Sequence, residues 1–468
     1  MNTEQFRKHG YQFIDWLADY FTQVENYPVR SVVKPGEIKS LLPEYPPDYG
    51  EGMDEIFQDF CKNIFPGITH WQHPGWFAYF PANNSPPSIL GELLTAGLGS
   101  QCMIWQTSPA AAELEEVVMS WLRGMLGLPE GMDGVIQDTA STATLCALLT
   151  ARELATEFAI NKKGFHGKLR VYKSQEGHSS IDKAVKIAGY GLDNLRSVKV
   201  DKNFAMIPDE LEKVIVEDKG NGYIPTCAVA TIGTTSSTAI DPLEKIGLIC
   251  KKYGVWLHVD AAFGGAAGLL EEKRHLLQGV ELCDSFVFNP HKWMLTNFDC
   301  TAYYVKNKEH LIRTFEISPE YLRTGQDALV NNYRDWGIQL GRRFRALKLW
   351  FVIRSYGVDG IQSIIREHLR LAQLFKGWVE KDVRFELLAP VPLSLVCFRL
   401  IRNNAAEKDL VVLNTALLEK VNETGRVYLT HTTLNDCYAI RLAIGQRTTT
   451  EKNVREAWEI ICQQAEKI

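Results

Sequence analysis

The chain has 468 residues, 46% of them hydrophobic and 23% charged, and a formal net charge of -5. That composition can bury a large core, and the lack of a basic stripe argues against nucleic acid as a partner. No apolar run approaches the ~20 residues of a spanning helix and Met1-Asn2-Thr3-Glu4 opens no signal peptide, so no membrane partner is expected. The 10 cysteines are scattered through apolar surroundings without a CxxC pair. They read as buried free thiols of a reducing compartment, which points to the cytoplasm.

Residues 3–25 are predicted as an amphipathic helix, capped by Thr3, with Phe6, Phe13, Leu17, Tyr20 and Val24 on one face. So aromatic a face either packs on its own core or lies across a second subunit. A turn-rich connection and a helix at 53–64 follow. Residues 70–83, His-Trp-Gln-His-Pro-Gly-Trp-Phe-Ala-Tyr-Phe-Pro-Ala-Asn, are dense in aromatics and broken by prolines. They form either a packed Ω-loop or the wall of a ligand pocket. His70 and His73 have no third ligand at a usable spacing, so no metal site is expected.

Residues 88–128 read as helical with a break near 97–102. At 134–144 small hydroxyl residues open a helix, which is either a simple cap or an anion site built on free N–H groups. The glycine spacing and lysine of a P-loop are missing. Strands are then expected at 169–172, 198–200, 228–232, 256–259, 286–288 and 302–305. Helices at 181–189, 208–218 and 243–253 alternate with them. The alternation implies an α/β fold with a mainly parallel sheet covered on both faces. Residues 315–333 lack periodicity and read as a lid or a disordered segment. The basic cluster at 341–345 reads as an interdomain ion-pair network. After a helix at 358–380, strands at 385–387, 394–400, 427–430 and 438–442 and a helix from about 449 make a small α+β domain. The expected division is 1–84, 85–346 and 347–468.

Two stretches carry chemistry. Residues 285–293, Ser-Phe-Val-Phe-Asn-Pro-His-Lys-Trp, are an apolar strand stopped by Pro290, with Lys292 just beyond its end. Such a lysine either snorkels to water or acts as a nucleophile toward carbonyl groups. Residues 255–265 are a second apolar strand that delivers Asp260 to its carboxyl end, where a carboxylate is costly unless it meets a cation. Carboxyl ends of neighbouring strands in an open α/β sheet face one crevice. A lysine and an acid placed there suit pyridoxal phosphate, which bonds to a lysine at its aldehyde and takes an acidic partner at its ring nitrogen.

Residues 289–293 (Asn-Pro-His-Lys-Trp) and 258–262 (His-Val-Asp-Ala-Ala) resemble the signatures of the group II pyridoxal-phosphate-dependent decarboxylases, and within them the aromatic-L-amino-acid decarboxylases. The likeness runs from the N-terminal helix to Arg441. It implies a fold-type I, aspartate aminotransferase-like architecture with an N-terminal helical arm, and a homodimer with its active sites at the subunit interface. The implied reaction converts an aromatic L-amino acid to its arylalkylamine and CO2. By the same resemblance Lys292 links the cofactor, Asp260 serves the ring nitrogen, and His178 stacks on the ring and relays a proton. Thr139, Ala140, Ser141 and Asn289 take the phosphate, and Thr235, Ala262 and His291 complete the cofactor set. Trp71, Tyr79, Phe80, Pro81 and Ala82 form the substrate-ring pocket. Met103 lies where a partner subunit contributes to that pocket, and Gly341 leaves room for a large ring. Tyr321 is the implied proton donor on the lid. Ala82 offers no hydroxyl to a catechol, which leans toward tryptophan, phenylalanine or tyrosine. The alternatives are an aldehyde-forming decarboxylase, an aminotransferase, or a catalytically silent dimer; retention of Lys292, Asp260 and His178 together argues against the last.

Overall fold

A seven-stranded sheet organises the chain in the computed structural model, which describes residues 1–165, 167–317 and 329–468. Its strands are β1 (Asp133–Gln137), β2 (Leu169–Ser174), β3 (Leu195–Val198), β4 (Ile224–Thr231), β5 (Trp256–Asp260), β6 (Ser285–Phe288) and β7 (Thr301–Val305). They run in the order β1-β7-β6-β5-β4-β2-β3. The stretch from β6 to β3 is parallel, and β7 lies antiparallel to both its neighbours. Residues alternate between the two faces, as the period-2 geometry requires. Phe286 and Phe288 enter a core with Leu122, Ile246 and Leu349, while Val287 packs with Ala143, Cys146 and Tyr303. Both faces are therefore apolar, which is why the central strands read as continuous hydrophobic runs.

The small sheet has β8 (Phe385–Leu387), β9 (Leu395–Leu400), β10 (Thr430–Leu434) and β11 (Cys437–Ala443) in the antiparallel order β10-β11-β9-β8. Helices Glu407–Glu423 and Glu451–Ala465 close its core around Phe375, Phe398 and Leu417. Leu434 pairs directly with Cys437, so Asn435 and Asp436 make a two-residue hairpin turn with φ of 48° and 64°. Asn and Asp tolerate that left-handed region better than other side chains.

Several expectations need correction. The first helix, Thr3–Gln23, is capped by Asn2, whose side chain accepts from Gln5 N–H while Gln5 returns a bond to Asn2 N–H. β1 was not expected, because residues 134–144 read only as the opening of a helix. A Cβ at Gly134 would meet the Met119 methyl and the Tyr304 ring, so glycine is there for close packing. The helix expected at 358–380 is the second part of Arg345–Lys381, broken at Gly357 with φ 65°. The strand expected at 427–430 begins at Thr430, and helix Glu407–Glu423 was not anticipated. The basic cluster pairs Arg342 with Glu115 at 2.6 Å, Arg345 with Asp299 at 2.8 Å, and Arg343 with Glu92. These partners all precede residue 300, so the network braces elements around the large sheet and not the small one.

Candidate active site

β5 and β6 are adjacent and parallel, with Asp260 paired to Val287. Both therefore deliver their carboxyl ends to one place. Beyond β6, Asn289 N–H donates to Ala262 O at 3.1 Å, and Lys292 N–H to Asn289 O at 2.9 Å. Pro290, lacking an N–H, opens the short turn that swings Lys292 back over the sheet edge. A cavity of about 270 Å3 results. Its lining includes Thr139, Ala140, Ser141, His178, Thr235, Asp260, Ala262, Asn289, His291 and Lys292, together with Phe80. The structure thus brings together all ten residues assigned to the cofactor. A larger cavity of about 560 Å3, between Met206 and Pro390, gathers no such set.

The electrostatics follow from the surroundings. Burial lowers the Lys292 ammonium below its ordinary range, and the Asp260 charge partly restores it. The Lys292 Nζ lies 5.5 Å from the Phe80 ring centre. Partial burial likewise lowers His178, against the pull of Asp260. Nδ1 of His178 accepts from Ser180 N–H at 3.1 Å, so the neutral ring carries its proton on Nε2. His291 is held down to about 3 by burial and then by Lys292, and its Nδ1 accepts from Cys300 N–H at 3.1 Å. Backbone donors thus fix the tautomer of both rings.

Helix Ala140–Ala155 points its N-terminus into the same cavity. Thr139 caps it, Oγ1 accepting from Thr142 N–H, while the N–H of Thr139 is taken by Asp138 at 2.5 Å. The N–H groups of Ala140 and Ser141 have no intrahelical acceptor and are available to an anion. On the far side Thr301 donates to Asn289 Oδ1 at 2.7 Å, which leaves the Asn289 amide donors free to face a ligand.

The residues assigned to the substrate separate. Phe80 lines the cavity and stacks on Phe263 at 3.9 Å, which in turn stacks on Trp293 at 4.7 Å. Trp71, Tyr79, Pro81 and Ala82 do not line it. Trp71 stacks on Trp76 at 4.1 Å and Tyr79 is half-exposed with φ 53°. Met103 and Gly341 also lie off the cavity: Met103 O accepts from Arg334 N–H, and Gly341 sits against Gln101. Tyr321 and most of the expected lid lie outside the described residues.

One residue escaped the sequence reading. Arg441, on β11, is buried, with its guanidinium 5.5 Å from the Phe80 ring centre. It donates to Thr235 O at 2.7 Å and Thr430 Oγ1 at 3.0 Å, while its buried Nε has no partner among the described residues. Among the described residues no carboxylate pairs with it. An arginine between Ile440 and Leu442 inside a strand was the available signal.

A lysine and a carboxylate at the ends of adjacent parallel strands, opposite a helix N-terminus, define a pyridoxal-phosphate enzyme of fold type I. The donor set fits that cofactor: a nucleophilic amine, an acid, an anion site and an imidazole around one cavity. Residues 35–401 match the family described as pyridoxal-dependent decarboxylase conserved domain. Tyrosine decarboxylase 3 of Petroselinum crispum is 45% identical over 488 aligned positions, spanning 100% of this chain and 94% of that protein. Phenylacetaldehyde synthase of Arabidopsis thaliana is 43% identical, spanning 99% and 96%. The crystal structure of Oryza sativa TDC with PLP and tryptamine superposes with a TM-score of 0.97 at 36% identity, covering 100% and 99% of the two chains. The chain belongs to the pyridoxal-dependent decarboxylase family.

Proposed function

We propose that this protein decarboxylates an aromatic L-amino acid (tryptophan, phenylalanine, tyrosine or a relative) to the arylalkylamine and CO2. The observation that carries the reading is the meeting of Lys292, Asp260 and the helix N-terminus at Ala140 in one cavity. The relatives, a tyrosine decarboxylase and a structure that holds tryptamine, supply the aromatic substrate class.

Pyridoxal phosphate, when bound, supplies an electron-accepting ring for the pair released as CO2 leaves. The chain's own residues prepare for it. Lys292, its ammonium weakened by burial, is ready to attack the aldehyde. Asp260 holds a negative charge for the ring nitrogen. The N–H groups of Ala140 and Ser141, with Thr139 and Asn289, would hold the phosphate. His178, a lining residue with its proton on Nε2, would pack on the cofactor ring and pass a proton. Arg441, a buried cation with no acid paired to it among the described residues, is suited to the substrate's α-carboxylate beside Phe80.

We also assign a homodimer. Support comes from the exposed apolar row Leu90, Leu93, Leu94 and Leu98, and from Met103 and Gly341, substrate residues by resemblance that lie off the cavity of their own chain. The limits 1–84, 85–346 and 347–468 and a cytoplasmic location belong to the same proposal, the latter supported by the ten free cysteines.

A second reading, an aldehyde-forming decarboxylase, is favoured by the Arabidopsis relative. One assay separates the two. Holoenzyme is given each aromatic amino acid, and CO2, amine, aldehyde and peroxide are measured. Amine in step with CO2 is the expected result; aldehyde with peroxide selects the second reading. No CO2 from any aromatic amino acid would overturn both.

A further inference from the structure

Thr231 ends β4 and stands in register with Asp260 on β5. Paired residues of parallel strands point to the same face, with the strands roughly 4.8 Å apart. Thr231 and Asp260 therefore stand side by side, and both residues line the Lys292 cavity. The backbone of Thr231 is committed elsewhere: its N–H donates to Asp241 Oδ2 at 2.7 Å, and its carbonyl accepts from Asp241 N–H at 3.0 Å.

The side chain is another matter. Thr231 is 4% exposed, and its Oγ1 has no hydrogen-bond partner among the described residues. Other side chains of the lining do have bonds within the protein: Asp260 accepts from Ala262 N–H, Asn289 Oδ1 accepts from Thr301, and Ser180 bonds to His178. A hydroxyl has one donor and two acceptor positions, and leaving all of them unmet in the interior is unfavourable. Valine would fill the same space in a strand without that cost. Thr231 is a lining residue of the cavity, which makes a bound ligand the candidate partner for that hydroxyl.

We infer that the Thr231 hydroxyl is a second polar contact for the bound cofactor, on the side served by Asp260. The inference rests on the proposed function above. It has a consequence with opposite signs in the two forms of the protein. Without cofactor, Thr231→Val removes an unmet polar group, so the apoprotein is as stable as wild type or more stable. With cofactor, the same change deletes a hydrogen bond, and binding weakens.

The test strips the full-length protein of cofactor and titrates it with pyridoxal 5'-phosphate and with pyridoxamine 5'-phosphate, followed by fluorescence quenching. The second compound cannot bond to Lys292, so it reports the non-covalent contacts alone. Thr231→Val is expected to raise Kd for both about fivefold, the size of one lost neutral hydrogen bond, while Thr231→Ser stays within about twofold of wild type. The melting temperature of the Thr231→Val apoprotein is expected to equal or exceed that of wild type. Wild-type affinity in Thr231→Val overturns the inference alone. A fall of more than about 4 °C in its apo melting temperature also overturns it, because the hydroxyl would then already have a protein partner. A wild-type chain that takes up neither compound overturns the proposed function, and the inference with it.

Discussion

Trp293 donates its indole N–H to Nδ1 of His368 at 2.9 Å, and Nε2 of His368 faces Gln446 O at 3.0 Å. An indole can only donate, so Nδ1 is bare and the imidazole carries its one proton on Nε2. Trp293 follows Lys292 and stacks on Phe263. The bond thus ties the loop that carries the lysine to helix Arg345–Lys381 and to the C-terminal part of the chain.

Acid should break this tie. Burial holds His368 down to about 4, with the Gln446 carbonyl opposing. The folded value is below the unfolded one of about 6.5, so below that pH the unfolded chain binds a proton that the folded chain refuses. The contribution to stability is complete above about 6.5 and is lost as pH falls toward 4, by roughly 1.4 kcal/mol per unit and about 3 kcal/mol in all. His368→Gln removes this one titration from the several buried histidines. Urea midpoints measured from pH 7 to 4 should fall less steeply in the variant than in wild type; parallel slopes would refute the assignment.

Much of the fold was legible because its signals are local. The runs ending at Asp260 and Lys292 are apolar since both faces of β5 and β6 are covered, and the polar residue that follows is conspicuous. Most of the assigned cofactor residues sit at or just beyond a strand's carboxyl end or at a helix N-terminus, where one sequence position determines one location. The substrate set was less legible. Trp71, Tyr79 and Met103 are placed by tertiary packing of irregular chain, and no period predicts which cavity they face. Arg441 was missed for a related reason: its role depends on the absence of a carboxylate nearby, which no sequence pattern displays. Gly134 concealed β1 because its missing side chain answers to Met119 and Tyr304, far away in sequence.

Arg441→Gln tests the carboxylate site. Charge-assisted hydrogen bonds are worth roughly 1.5–3 kcal/mol, or about 10- to 150-fold. KM for an aromatic amino acid should rise at least about tenfold. Inhibition by the matching arylalkylamine, which lacks the carboxylate, should change by less than about threefold. Equal weakening of both ligands would mean that Arg441 shapes the pocket through Phe80 and Thr235 and does not hold the anion.

The product is decided by a proton. The resemblance gives that proton to Tyr321, and a phenol stands at that position in the sequence. Tyr321→Phe keeps the ring and removes the acidic hydrogen. CO2 release should continue, but with one O2 and one water consumed per turnover and aldehyde, ammonia and peroxide formed in place of most of the amine. Oxygen uptake beside amine yield measures the partition. Amine at the wild-type rate with no oxygen uptake would take the role from Tyr321.

Asp260→Asn separates charge from shape. Asp260 Oδ1 accepts Ala262 N–H at 3.1 Å, a bond the asparagine carbonyl can keep, so the wall of the cavity should stand. What disappears is the negative charge. A pair at ~4 Å is worth roughly 4 kcal/mol at an effective dielectric of ~20, about three powers of ten in rate if it acts in the transition state. Turnover should fall by that order while cofactor is still taken up. A second readout comes from Lys292, which Asp260 now pulls upward against burial. Without that charge the ammonium loses its proton at lower pH, so the acid limb of cofactor uptake should move to lower pH in the variant. Lys292 must be unprotonated to attack the aldehyde, which makes the uptake rate a direct report of its titration. A loss in turnover below about tenfold, roughly 1.4 kcal/mol, together with an unmoved uptake profile would show that Asp260 serves neither the ring nitrogen nor the lysine.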